Sequence, residues 1–103
     1  LNITPIMPRT HDPFIETYHV RVTGRVQGVG YRWSAVRHAH MIGVRGWVRN
    51  LDDGSVEAMV QGPPDQVDRM LEWMRQGPPG AKVLELASER QFSDRRFERF
   101  EQH

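Results

Sequence analysis

Residues 24–32 read GRVQGVGYR, the first stretch of the chain whose residue types and spacing suit a chemical task. Gly24, Gly28 and Gly30 fall close together, and glycine at this density lets a backbone turn through positive φ and approach a ligand. The residues before the loop alternate like a strand, and those after it follow a helical spacing. The loop therefore feeds a helix N-terminus, whose unpaired N–H groups and positive dipole end suit an anion. Successive amides curled around an anion act as a nest. Arg32 falls in the first turn of that helix, where a cation opposes the dipole, so its placement calls for another purpose. A guanidinium converging with amides matches a phosphoryl group best. The loop is no Walker A sequence, because no Gly-Lys-Ser/Thr follows it. Nor is it the dinucleotide fingerprint, because Trp33 stands where a third glycine belongs. On these residues alone, a tight glycine connection beside a solvated arginine is an equal reading.

Other residues capable of chemistry weigh less. His38 and His40 are two apart on the helix and face different ways. His19 falls on the polar face of a strand, so all three histidines read as surface or boundary groups. Trp33 and Trp47 suit base stacking, as in RNA-binding domains that use sheet aromatics. The strands lack the accompanying aromatic and basic signature, so packing is the expectation for both. Asp52-Asp53-Gly54 between apolar runs is a hairpin turn. Arg90, Arg95, Arg96 and Arg99 interleave with Glu89, Asp94, Glu98 and Glu101, which describes a solvated charged face.

The elements that must position the loop follow from periodicity. Residues 16–25 alternate, with Tyr18, Val20 and Val22 on one face. Residues 31–42 form a helix carrying Val36, Ala39 and His40 or Ile42 on its apolar side, and Gly43 stops it. Residues 45–51 and 55–61 are two strands joined by the Asp-Gly turn. Gly62-Pro63-Pro64-Asp65 opens a second helix, with Val67, Met70, Leu71 and Met74 at i, i+3, i+4 and i+7. Gly77-Pro78-Pro79-Gly80 ends it. Residues 81–91 form a strand with Val83, Glu85 and Ala87 opposed to Leu84 and Leu86. Residues 95–101, with Phe97 and Phe100 oddly spaced, predict a bulged edge strand. The order β-α-β-β-α-β is the ferredoxin-like arrangement, an α+β sandwich of two helices on one face of an antiparallel sheet of four to five strands.

The chain has 103 residues, which allows one domain over residues 16–103 behind a flexible leader at 1–15. There is no cysteine, which excludes a disulfide scaffold, a thiolate zinc site and a cysteine nucleophile, and fits a cytoplasmic protein. Fourteen basic residues, all arginine except Lys82, nearly cancel thirteen acids, which disfavours a protein that coats nucleic acid. No run approaches the length of about 20 apolar residues that a membrane span needs, and the proline-rich start has no signal-peptide core.

Residues 24–32 together with residues 46–50, GWVRN, resemble the two signature stretches of the acylphosphatase family. The likeness runs on through Leu51-Asp52-Asp53-Gly54-Ser55-Val56-Glu57, Gly62 and the Gly77-Pro78 break, covering residues 18–90. The resemblance implies the ferredoxin-like fold and hydrolysis of the carboxyl–phosphate bond of acyl phosphates to a carboxylate and inorganic phosphate. It implies that Arg32 grips the phosphoryl group and that Asn50 orients the attacking water. The backbone amides of Gln27, Gly28, Val29, Gly30, Tyr31 and Arg32 become the phosphate cradle, and Trp47 can rim an acyl pocket. The expected enzyme needs no cofactor and no metal, acts on a small acyl phosphate and works as a monomer, without nucleic acid or membrane. The same resemblance leaves two alternatives, a phosphate or carbamoyl-phosphate binding module and an RNA-binding ferredoxin-like domain. Three features depart from the family pattern. Gly30 stands where many members carry a larger apolar residue. Arg99 falls two after Phe97, on what should be the same face, which questions both the last strand and a terminal contact to the loop. The leader has no counterpart.

Overall fold

The computed structural model describes residues 14–103. The expected leader lies outside the described residues up to residue 13. The elements are β1 (Glu16–Arg25), α1 (Tyr31–Ile42), β2 (Arg45–Asn50), β3 (Val56–Gly62), α2 (Pro64–Gln76), β4 (Lys82–Gln91) and β5 (Phe100–Gln102). The strands form one sheet in the order β4-β1-β3-β2-β5. Both helices pack on one face of it, so the ferredoxin-like α+β architecture read from the sequence is the observed one.

β1 pairs antiparallel with β3 and β4, and β3 pairs antiparallel with β2. β5, however, runs parallel to β2, with Gly46 facing Phe100 and Val48 facing Gln102. The sheet is therefore mixed rather than wholly antiparallel. The chain leaves β4 at one edge and joins β5 at the other, so it must cross the sheet. The crossing is stitched to the sheet by Gln61, a buried side chain. Its Nε2 donates to Thr17 Oγ1 at 2.9 Å and to the Arg95 carbonyl at 2.8 Å, and its Oε1 accepts the Phe97 N–H at 2.9 Å. Phe97 is buried ahead of the strand instead of within it. The clash expected between Phe97 and Arg99 on one face thus does not arise.

The core is a valine-rich sheet face closed by the helices. Val20, Val22, Val48, Val56 and Val60 are fully buried. α2 presents Val67, Met70, Leu71 and Met74 to it, as their spacing predicts. α1 differs from expectation: its buried line is Tyr31, Ala35 and Ala39, with Val36 and Ile42 only partly covered and His40 exposed. Small alanines one turn apart let the helix lie close to the sheet, and this decides the phase more than the larger apolar residues do.

β4 corrects a second expectation. Thr23 faces Glu85 and Gly24 faces Val83, so Leu84 is an extra residue without a partner. A bulge of this kind flips the alternation. Val83 and Leu86 consequently both pack on the core, and Leu84 is left 72% exposed.

The start of β2 depends on Gly46. Its φ is +134°, and a Cβ there would lie 1.8 Å from the Met59 carbonyl oxygen of β3. Its N–H also donates to the Arg99 carbonyl at 3.0 Å, tying β2 to the approach of β5. Gly46→Ala is expected to destabilise the fold by about 2–5 kcal/mol, from unfavourable φ plus backbone overlap, read as a lowered urea midpoint.

Candidate active site

The loop between β1 and α1 is pinned at its start by Val26, which is buried in the core. Gly28 and Gly30 take φ of +76° and +78°, and nothing lies within 4 Å of where a Cβ would project. Backbone torsion, not lack of room, demands glycine there, and the loop keeps one open side. Gly30 is the N-cap of α1 and supplies no side-chain acceptor, and the first turn holds no acidic residue. The leading N–H groups of α1 are therefore left for an external acceptor. The Tyr31 ring turns inward, where its hydroxyl donates to the Met74 carbonyl at 2.7 Å. Burial pushes that hydroxyl far above the ordinary range of a phenol, so it stays protonated.

This loop forms one wall of a cavity of about 160 Å³. Gln27, Gly28, Gly30, Tyr31 and Arg32 line it from one side and Asn50 from the end of β2. Of the residues read from the sequence as catalytic or as the phosphate cradle, Val29 alone is absent from the wall, and it packs partly on the core. Among the described residues, no carboxylate side chain borders the cavity. Among the described residues, no three His, Asp or Glu side chains gather in a way that would hold a metal ion. Larger hollows lie elsewhere among the described residues. One of about 360 Å³ borders Arg45, Pro63 and Arg96, and one of about 270 Å³ borders Trp47, Arg95 and Phe97. Neither touches the glycine loop.

Arg32 is half-buried, and its Nη1 donates to the main-chain oxygen of His103 at 2.9 Å. The contact to the loop questioned from the sequence is thus present. It arises because β5 continues past Gln102: the His103 N–H donates to the Val48 carbonyl at 2.8 Å, and its ring stacks on Trp47 at 5.5 Å. Gln102 reaches the cavity wall by the same route. No local pattern in the sequence signals either contribution, because both depend on a three-residue strand pairing with β2.

Asn50 Oδ1 is buried and has no hydrogen-bond partner among the described residues. A buried acceptor left unpaired costs about 1–3 kcal/mol. The χ2 torsion of Asn is broad and roughly two-fold, so a half-turn exchanges the oxygen with the NH₂ group.

The glycine loop and the hairpin after Asn50 are joined directly. Gln27 Nε2 donates to the Leu51 carbonyl at 2.8 Å and to the Ser55 carbonyl at 2.9 Å. Sequence reading gave Gln27 only a backbone role, so its side-chain tether is an addition. The hairpin itself is braced by Asp53. Its Oδ1 accepts the Ser55 N–H at 2.9 Å and the Ser55 hydroxyl at 2.5 Å, and Arg21 donates to its Oδ2. The Ser55 bonds first, and Arg21 after them, hold the Asp53 carboxyl down at about 2. Beside it, Glu57 is held below the usual carboxylate range by His19 first and Arg49 next, each at 2.6 Å.

These pairs occupy the sheet face that an RNA-binding domain would use for stacking. His38 lies flat on Trp73 at 4.3 Å and His40 faces the Phe100 carbonyl, so none of the helix or strand histidines lines the cavity. Trp33 contradicts its expected packing. It is 61% exposed and lies on the cavity wall. With Tyr31, Ala35 and Ala39 facing the sheet, a residue two beyond Tyr31 points away from it. Trp47 is half-buried and borders the 270 Å³ hollow instead of this cavity.

Comparison with known proteins covers nearly all of the described chain. A family model described as Acylphosphatase matches residues 18–102. The Acylphosphatase of Bordetella parapertussis (strain 12822) is 65% identical over 91 residues, covering 88% of this chain and 97% of that one. The Acylphosphatase of Paraburkholderia xenovorans (strain LB400) is 62% identical over 92 residues, covering 89% and 95%. The crystal structure of acylphosphatase from Bacillus subtilis, 34% identical, gives a TM-score of 0.83 over 85% of this chain and 98% of that chain.

Two measurements check the bracing of the site. Gln27→Leu removes both bonds to the hairpin and leaves the Leu51 and Ser55 carbonyls with only their backbone partners, the N–H groups of Gly54 and Leu51. At about 0.5–1.5 kcal/mol for each lost bond, it is expected to cost about 1–3 kcal/mol by urea denaturation. The Asp53 carboxyl has a depressed folded-state pKa, so its contribution is complete above its ordinary 3.8 and is lost as pH falls through about 2. Stability measured between pH 5 and pH 2 is therefore expected to fall less steeply in Asp53→Asn than in the parent.

Proposed function

This chain belongs to the acylphosphatase family, and from that premise we propose that the 160 Å³ cavity takes the phosphoryl end of an acyl phosphate for attack by water. One observation carries the reading. Arg32 and Asn50, eighteen positions apart in the chain, border the same small hollow together with a glycine loop at a helix start, and among the described residues no carboxylate side chain competes with them.

An acyl phosphate is a mixed anhydride whose leaving group is a carboxylate. That group departs as a stable anion, so little acid catalysis is needed. The demands are charge stabilisation on the phosphoryl oxygens and a water held in line with the breaking bond. The guanidinium of Arg32 and the loop amides meet the first demand. The His103 main-chain oxygen occupies one donor on Nη1 and leaves the others for the ligand. The Asn50 carboxamide meets the second. After a half-turn about χ2, its unpartnered Oδ1 faces the cavity and accepts a hydrogen bond from the water, which leaves a lone pair of the water oxygen directed at phosphorus. As the new P–O bond forms, the P–O bond to the acyl group breaks and its electron pair leaves on the carboxylate. Asn is no strong base, so the water proton passes to a phosphoryl oxygen of the substrate. The products are a carboxylate and inorganic phosphate.

Hydrolysis of benzoyl phosphate by the purified chain tests this reading. Asn50→Ala is expected to slow turnover by about 10²-fold or more while competitive inhibition by inorganic phosphate persists. Arg32→Ala is expected to abolish turnover and phosphate inhibition together. Parental rates in either folded variant would overturn the assignment.

A further inference from the structure

The cavity reading leaves one wall residue without a task, and its surroundings identify one. Trp33 follows Arg32 in the first turn of α1 and is 61% exposed. The guanidinium carbon of Arg37, one helical turn on, lies 4.8 Å from the centroid of its ring. That stack holds the indole over the helix surface and adds a second positive charge near the cavity.

The other wall residues offer no comparable surface. Val26 and Tyr31 are buried in the core, and the Gln27 side chain is committed to the hairpin. Gly28 and Gly30 have no side chain, and Arg32, Asn50 and Gln102 are polar. Among the described residues, Trp33 is thus the one large apolar side chain that borders the cavity and remains open. In-line attack sets the direction of the leaving group. With the water at Asn50, the acyl group departs from phosphorus on the side away from Asn50 and must extend out of a hollow of about 160 Å³.

We propose that the exposed indole of Trp33 is the platform on which the acyl group of the substrate rests, so that this chain prefers acyl phosphates with a flat, apolar acyl group over those with a small one. The proposal rests on the acyl phosphate reading above and adds the substrate class. An aromatic acyl group laid on the indole covers apolar surface that is otherwise in water and gains an offset aromatic contact. An acetyl group reaches too little of that surface to gain much. Arg37 contributes by holding the ring and has no direct contact with the reacting atoms, which makes it a positioning residue.

The test compares kcat/KM for benzoyl phosphate and acetyl phosphate in the parent, Trp33→Ala and Trp33→Phe, with inorganic phosphate as competitive inhibitor of each. The parent is expected to favour benzoyl phosphate. Trp33→Ala is expected to lower the benzoyl-to-acetyl ratio by about 3–10-fold, chiefly through KM for benzoyl phosphate, without weakening phosphate inhibition. Trp33→Phe is expected to keep most of the parental ratio, because an aromatic face remains. Trp33→Gln reads the same ratio if the alanine variant does not fold. An unchanged ratio in folded Trp33→Ala or Trp33→Gln overturns the proposal while leaving the acyl phosphate reading standing. An equal loss on both substrates also overturns it, since a role in phosphoryl binding or in folding would give that result. A parent that hydrolyses neither substrate overturns the underlying reading and the proposal with it.

Discussion

β3 stands between β1 and β2, and the rest of the candidate site depends on this pairing. Both neighbours run antiparallel to β3, so they run parallel to each other. Their C-terminal ends therefore meet at the same end of the sheet, two strand spacings, about 9–10 Å, apart. One end releases the glycine loop and the other ends on Asn50. The helix α1 makes the crossover between the two strands, and its N-terminus falls at that same end. The topology thus gathers an amide-rich helix start and the arginine in its first turn with an asparagine eighteen positions further along the chain. Gln27 then converts proximity into fixed geometry by holding the two carbonyls that flank the hairpin turn.

The electrostatic arrangement follows the same division. Carboxylates are kept in pairs on the open face of the sheet, Glu57 between His19 and Arg49 and Asp53 against Arg21 and Ser55. They brace the hairpin and lie outside the cavity, whose described wall carries Arg32 and no acidic side chain. A cation in the first turn of a helix opposes the dipole, and the main-chain oxygen of His103 offsets part of that cost by accepting one of its hydrogens. Holding the guanidinium at one of its donors also limits its rotamers before a ligand arrives, which lowers the entropy lost on binding. The short β5 strand is thus more than an edge: it carries the anchor of Arg32.

Much of this was legible in the residue order because local rules and tertiary packing agree. The valine alternation in β1 and β3 matched a sheet with one covered face, and the Val67, Met70, Leu71 and Met74 stripe matched a helix with one buried side. Disagreements arose where packing chose between two phases that local spacing allowed. At Leu84 a bulge reversed the alternation, because Val83 and Leu86 both had a core to reach. In α1 the line of Tyr31, Ala35 and Ala39 won over the larger Val36 and Ile42, because a close approach to the sheet needs small residues. Strands without an RNA-binding signature predict packing for Trp33, and the helix phase instead turns it outward.

By itself the sequence determined the order of the elements, the fold class and the identity of the two stretches that carry Arg32 and Asn50. Periodicity, glycine torsion and turn chemistry are local properties, written in neighbouring residues. Only the tertiary structure decided that β5 pairs parallel with β2, that His103 and Gln102 arrive at the cavity, that Gln27 ties the loop to the hairpin, and that Trp33 stands open beside Arg32. Each of these links residues at least twenty-four positions apart or rests on the rotation of a whole helix against the sheet. Such contacts are set by which surfaces the folded chain brings together, and no short window of residues records that choice.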